Sequence, residues 1–117
     1  MLPAGDDELL LLHNPRCSKS RAARALLAER GVAFAERRYL EDPLSPEELA
    51  ELARRLGRPA REWARRGEPD WTLGEAAGDA EILAAMASYP VLIERPILVR
   101  GRRAIVGRPP ERVLELL

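Results

Sequence analysis

Four consecutive leucines, Leu9 to Leu12, run into His13 and then at once into Asn14-Pro15. An unbroken apolar run of that length, with acidic residues before it and a turn dipeptide after it, makes Leu9 to His13 a short buried strand, parallel or central in its sheet. From Ser18 to Arg30 the residues Ala22, Ala23, Leu26 and Leu27 make an i, i+4 stripe, and Gly31 stands where a helix ends in the left-handed region. Val32 to Tyr39 alternates as a second strand. Strand, helix and strand within roughly thirty residues are a βαβ unit, which dictates parallel strands and a right-handed crossover.

Downstream the pattern changes twice. Ser45-Pro46-Glu47-Glu48 is a helix start: Ser45 caps, Pro46 takes the first helical position and Glu48 completes a capping box. Leu49, Leu52, Ala53 and Leu56 form the buried face of that helix, and Gly57-Arg58-Pro59 ends it. A short helix through Trp63 and a third from Asp79 to Ser88, with Ile82, Leu83 and Met86 inward, make residues 45 to 89 a helical insertion. Beyond Tyr89-Pro90, Ile97 to Val99 and Ala104 to Val106 read as strands of a hairpin turning at Arg100-Gly101-Arg102-Arg103, and a last helix is expected from Pro110 to Leu117. The expectation is therefore an α/β chain, one domain over residues 1 to 117, with a mixed four-stranded sheet. The order βαβ, helical insertion, ββα is the thioredoxin-like arrangement, with residues 1 to 8 as a loose lead-in.

Composition excludes several function classes. With one cysteine and one histidine, an intrachain disulfide and a zinc site built from this chain alone are both ruled out, so no metal is expected. Nineteen basic residues balance nineteen acidic ones, which argues against bulk attraction to nucleic acid or to an anionic membrane. Neither a membrane span nor a secretion leader is expected, and the cytoplasm is the default location, where a thiol stays reduced. Lys19 is the one lysine among those basic residues, so any oxyanion site here is built from guanidinium forks.

The cysteine, Cys17, falls between the first strand and the first helix. There the sulfur meets unpaired backbone N–H groups and the positive end of the helix, and Arg16, Lys19 and Arg21 are close in sequence, all of which favour thiolate. The competing reading is a small buried hydrophobe. Cys17-Ser18-Lys19-Ser20 is C-x-x-S: the attacking thiol is kept and the resolving thiol is a hydroxyl, so an external thiol must resolve any covalent adduct. The phosphatase loop C-x5-R fails, because position 23 is Ala23. Two readings stand for each neighbour. His13 either lowers the thiol pKa when protonated or ends a strand. Ser20 either bonds the thiolate or is a surface hydroxyl, while Asn14 shapes the loop before Pro15. Trp63 and Trp71 are expected to pack the helical insertion.

His13-Asn14-Pro15-x-Cys17-x-x-Ser20-Arg21, Tyr39-Leu40-Glu41-x-Pro43, Glu68-Pro69, Tyr89-Pro90-x-Leu92-Ile93-x-Arg95-Pro96-Ile97 and Gly107-Arg108-Pro109 recur in order along nearly the whole chain. Together they resemble the glutaredoxin-dependent arsenate reductase family, which is thioredoxin-like. The resemblance implies that Cys17 attacks arsenate, that glutathione, as co-substrate, adds to the thiol-bound arsenic, and that glutaredoxin resolves the adduct to release arsenite, with no bound cofactor. It also implies an oxyanion site of Arg65, Arg95 and Arg108, with Arg66 as the rival to Arg65. The remaining arginines belong to solvated faces. In the thioredoxin-like arrangement a cis proline begins the third strand beside the cysteine loop; Pro96 is the candidate, with Arg95 directed at Cys17. Alternatives from the same fold are a general glutathione-dependent thiol oxidoreductase and an adaptor that binds RNA polymerase; the latter group carries C-x-x-C where Ser20 stands here.

Overall fold

The leucine run is a strand because both of its faces are covered. In a computed structural model that describes residues 2–117, Leu9–Leu12 is β1 and all of it is buried. Strand alternation sends Leu10 and Leu12 into a core shared with Ile97 and Val99, and Leu9 and Leu11 into another shared with Leu98, Ala23 and Leu27. β1 pairs in parallel with β2 (Ala35–Arg37) and antiparallel with β3 (Ile97–Arg100), which pairs with β4 (Arg103–Val106). The sheet order β2-β1-β3-β4 is the mixed four-stranded sheet expected of a thioredoxin-like chain.

The crossover helix α1 runs Ser18–Glu29 and is followed by Gly31 at φ 68°. Its buried residues are Ser20, Ala23 and Leu27; Ala22 is exposed and Leu26 half-buried, so the inward stripe lies to one side of the expected one. The second strand is also shorter than Val32 to Tyr39. β2 is an edge strand with only Leu10 to Leu12 of β1 to pair with, and beyond Arg37 the chain turns so that Tyr39 points inward, 1% exposed.

The helical stretch caps the other face of the sheet. α2 (Pro46–Leu56) starts on the Ser45–Glu48 capping box, with Glu48 N–H donating to Ser45 Oγ at 3.1 Å and Ser45 N–H to Glu48 Oε1 at 2.9 Å. After a 3-10 turn, Ala60–Trp63, α3 spans Asp79–Ser88 with Ile82 and Met86 buried. Trp63 is fully buried among them, and Trp71 packs half-buried at the edge of that cluster. The lead-in is anchored rather than loose: Leu2 is 4% exposed and joins the same core; Met1 lies outside the described residues.

The last segment is a 3-10 helix, Pro110–Leu116, rather than an α-helix. Its buried residues Pro110, Val113 and Leu116 recur every third position, the period at which a 3-10 helix keeps one face inward, and that face covers the α1 side of the sheet.

Candidate active site

β1 ends at the sheet edge where α1 begins, and the loop between them is held by its own polar groups. Cys17 N–H donates to Asn14 O at 3.0 Å, Arg16 N–H to Asn14 Oδ1 at 3.0 Å, and the Arg21 guanidinium to Pro15 O at 3.0 Å. Cys17 is the N-cap residue of α1, with extended backbone and no capping bond from its side chain, so its sulfur faces the free N–H groups of the first turn. Burial pushes the thiol pKa up; the Ser20 and Lys19 backbone N–H groups and the Arg95 guanidinium more than reverse this, and the thiol lies below its ordinary value. Cys17 as a residue is close to enclosed, at 9% exposure.

His13 directly follows the end of β1, as the strand-ending reading has it, while the Ser20 hydroxyl is neither a surface group nor on the sulfur. The Ser20 hydroxyl, fully buried, accepts from Asn14 N–H at 3.0 Å and is hydrogen-bonded to His13 Nδ1 at 2.7 Å; it is the Ser20 backbone N–H that serves the sulfur. Burial lowers the His13 pKa, and although Glu36 opposes this, Arg24, Arg38 and Arg21 reinforce it. A neutral imidazole results. The positive charge beside the thiol therefore comes from Arg95, not from His13.

Arg95 precedes Pro96 through a cis bond just before β3, and its guanidinium acts on Cys17. Its Nε and Nη1 atoms are buried without a hydrogen-bond partner among the described residues, an arrangement that costs free energy unless an acceptor arrives. Arg108 follows Gly107, whose N–H donates to Pro96 O at 2.8 Å; a Cβ there would stand 2.8 Å from Val113 and 2.9 Å from Pro96, so glycine permits the close approach. Arg108 Nε donates to Arg95 O at 3.0 Å and sits 3.1 Å from Glu94 Oε1. The Arg108-Pro109 bond is also cis, which the sequence reading missed. From the helical side, Arg65 N–H donates to Leu92 O at 2.7 Å and Ala64 bridges Ile93, which fixes Arg65 beside the segment that leads into β3; its guanidinium lies 2.5 Å from Glu68. Arg65, Arg66, Glu68, Glu94 and Arg108 line an open pocket of about 530 Å³.

Tyr39 links these parts. Burial raises its pKa to about 12, tempered by Arg95 and Arg65 and reinforced by Cys17 and Glu94. The charged groups that act on it are thus Arg95, Arg65, Cys17 and Glu94. Among the described residues its hydroxyl has no hydrogen-bond partner. Sequence reading used Tyr39 only as the end of a strand and as part of a motif, and passed over Glu94; the signals available were their places in Tyr39-Leu40-Glu41-x-Pro43 and directly before Arg95-Pro96. No group of three or more His, Cys, Asp or Glu side chains among the described residues is placed to hold a metal, and no described helix is long and apolar enough to cross a membrane.

Residues 12–116 match the ArsC family. The chain belongs to that family, the arsenate reductase family. It is similar to the arsenate reductase of Neisseria meningitidis serogroup A, 40% identical over 116 residues that cover 94% of this chain and 98% of that protein. An Escherichia coli K12 member, the uncharacterized protein YfgD, is 41% identical over 94% of this chain and 97% of its own length. Among solved structures, the arsenate reductase from Vibrio cholerae superposes with a TM-score of 0.89 at 42% identity, covering 98% of this chain and all of that one. Membership places the chain among ArsC proteins of oxidoreductase type, and the thiol, arginines and tyrosine described above are its candidate machinery.

Proposed function

We propose that this protein reduces arsenate to arsenite, with Cys17 as nucleophile, glutathione as co-substrate and glutaredoxin as the protein partner. The observation that carries the reading is Arg95: one guanidinium both lowers the Cys17 thiol pKa and keeps two buried N–H donors unpaired beside it. A thiolate repels an incoming oxyanion, and preorganised guanidinium donors offset that repulsion where the charge is greatest.

In this reading the Cys17 thiolate attacks arsenic(V) and forms an S–As bond while an arsenate oxygen leaves as water. Glutathione displaces a second oxygen. Attack by the glutaredoxin thiolate on the glutathione sulfur then breaks the As–S(glutathione) bond, leaves the electron pair on arsenic as arsenic(III), and forms the glutaredoxin–glutathione mixed disulfide. Hydrolysis of the remaining bond releases arsenite and Cys17. With one cysteine in the chain, the oxidised thiol must end on the partner, and the chemistry needs a reducing compartment such as the cytoplasm. Arg65 and Arg108 complete the oxyanion site. Tyr39, held protonated by burial, supplies an uncharged O–H donor to the arsenate oxygens.

The test is arsenite formation from arsenate with glutathione and glutaredoxin. Wild type is expected to turn over and Cys17→Ser to show none; equal rates would refute the proposal. In the same assay Tyr39→Phe is expected to lower kcat/KM about tenfold, the order of one hydrogen bond to a charged group. An unchanged value would remove Tyr39 from the site.

A further inference from the structure

The carboxylate of Glu94 occupies the arginine cluster that an oxyanion has to enter. Its Oε1 lies 3.1 Å from Arg108 Nε and 3.8 Å from Arg95 Nη1, and it accepts the Arg95 backbone N–H at 3.2 Å. Its Oε2 accepts no hydrogen bond among the described residues, although Glu94 is three-quarters buried and lines the pocket with Arg65 and Arg108. A negative group at the mouth of an anion site weakens binding of every anion unless the ligand offers it a proton. Arg95, whose Nη1 is the group 3.8 Å from that carboxylate, has Nε and Nη1 buried without a hydrogen-bond partner among the described residues, so unsatisfied donors and a carboxylate acceptor stand side by side.

We infer that Glu94 is a specificity-determining residue that selects oxyanions bearing a hydroxyl over fully deprotonated ones. A hydrogenated tetrahedral oxyanion places its unprotonated oxygens on Arg95, Arg65 and Arg108 and donates its O–H to Glu94 Oε2. An anion of the same shape with no proton offers Glu94 Oε2 no hydrogen bond and is rejected by repulsion, which is discrimination by an unfavourable contact in the wrong complex. Selection against an analogue that lacks the expected hydroxyl is strong where the acceptor is desolvated and weaker where water reaches it. With a quarter of Glu94 still exposed, the effect is set at about tenfold.

The inference rests on the oxyanion site of the proposed function but not on turnover. Isothermal titration calorimetry of the reduced full chain with inorganic phosphate, which keeps a hydroxyl at neutral pH, and with sulfate, which has none, measures it directly. Wild type is expected to bind phosphate at least about tenfold more tightly than sulfate. Glu94→Gln keeps the size and an acceptor oxygen while removing the charge, and is expected to narrow that ratio to about threefold or less because sulfate binding tightens. If Glu94 merely positions Arg108, both anions weaken together in Glu94→Gln, as they do in Arg108→Ala, and the inference fails. Equal affinities in wild type also overturn it. Arsenite formation by a protein that does not discriminate would sink the inference alone. Discrimination without arsenite formation supports the inference and sinks the arsenate reaction.

Discussion

At the scale of single residues, the site depends on what Arg95 does to Cys17. The helix start provides two N–H groups, but a largely enclosed thiol is also penalised by burial, and the guanidinium adds both a hydrogen bond and a positive charge on the stabilising side. Because the folded thiol lies below its free value, thiolate is present at pH values where a free thiol is protonated, and the rate of alkylation rises with pH at an earlier midpoint. Arg95→Gln is expected to move that midpoint upward, toward the free value of about 8.5, read from the pH dependence of iodoacetamide labelling. No shift would mean that the first turn of α1 alone activates the sulfur. His13 illustrates the opposite case: a residue next to the loop whose charge is suppressed because its ring is buried against a hydroxyl and faces arginines.

At the scale of elements, the helical cap is tied to the βαβ unit by a polar clamp as well as by its apolar face. Arg37 on β2 donates to both carboxylate oxygens of Glu48, at 2.6 and 3.0 Å, on the first turn of α2, and both side chains are largely buried. Arg37 therefore lowers the Glu48 pKa to about 2, against the penalty of burial and with help from the Ser45 N–H. A depressed carboxylate contributes stability that is complete above its unfolded pKa and disappears as pH falls through the folded one. Stability of wild type is expected to fall by about 2 kcal/mol between about pH 5 and about pH 2 through this group, and Glu48→Gln to flatten that part of the profile, measured by urea unfolding across pH. An identical slope in the variant would show that the clamp carries no net stability.

At the scale of the whole molecule, one sheet separates two cores, and the site forms where elements from both sides meet at the ends of β1 and β3. Trp63 fills the larger core directly before Ala64 and Arg65, so it supports both the cap and the placement of one oxyanion arginine. Trp63→Ala is expected to cost about 3–5 kcal/mol in chemical denaturation, as for other large-to-small changes at fully buried aromatics; a cost under about 1 kcal/mol would mean the cap is not packed as described. Much of this architecture was legible in local pattern. The leucine run, the Ser45–Glu48 box, the Asp79–Ser88 helix and the hairpin at Gly101 follow from periodicity and turn chemistry, which act over a few neighbouring residues, and Cys17 at a helix start follows from the same rules. What lay beyond local pattern was long-range. The shortness of β2 depends on the length of its partner, the 3-10 period of Pro110–Leu116 on the sheet it covers, and the anchoring of Leu2 on a core assembled from distant segments. The site divides in the same way: residue types and motif order mark Cys17 and its arginines. Only the tertiary structure sets Tyr39 and Glu94 among them and turns His13 onto Ser20, because burial and Coulomb interactions depend on separation in space, which the spacing of residues along the chain does not encode.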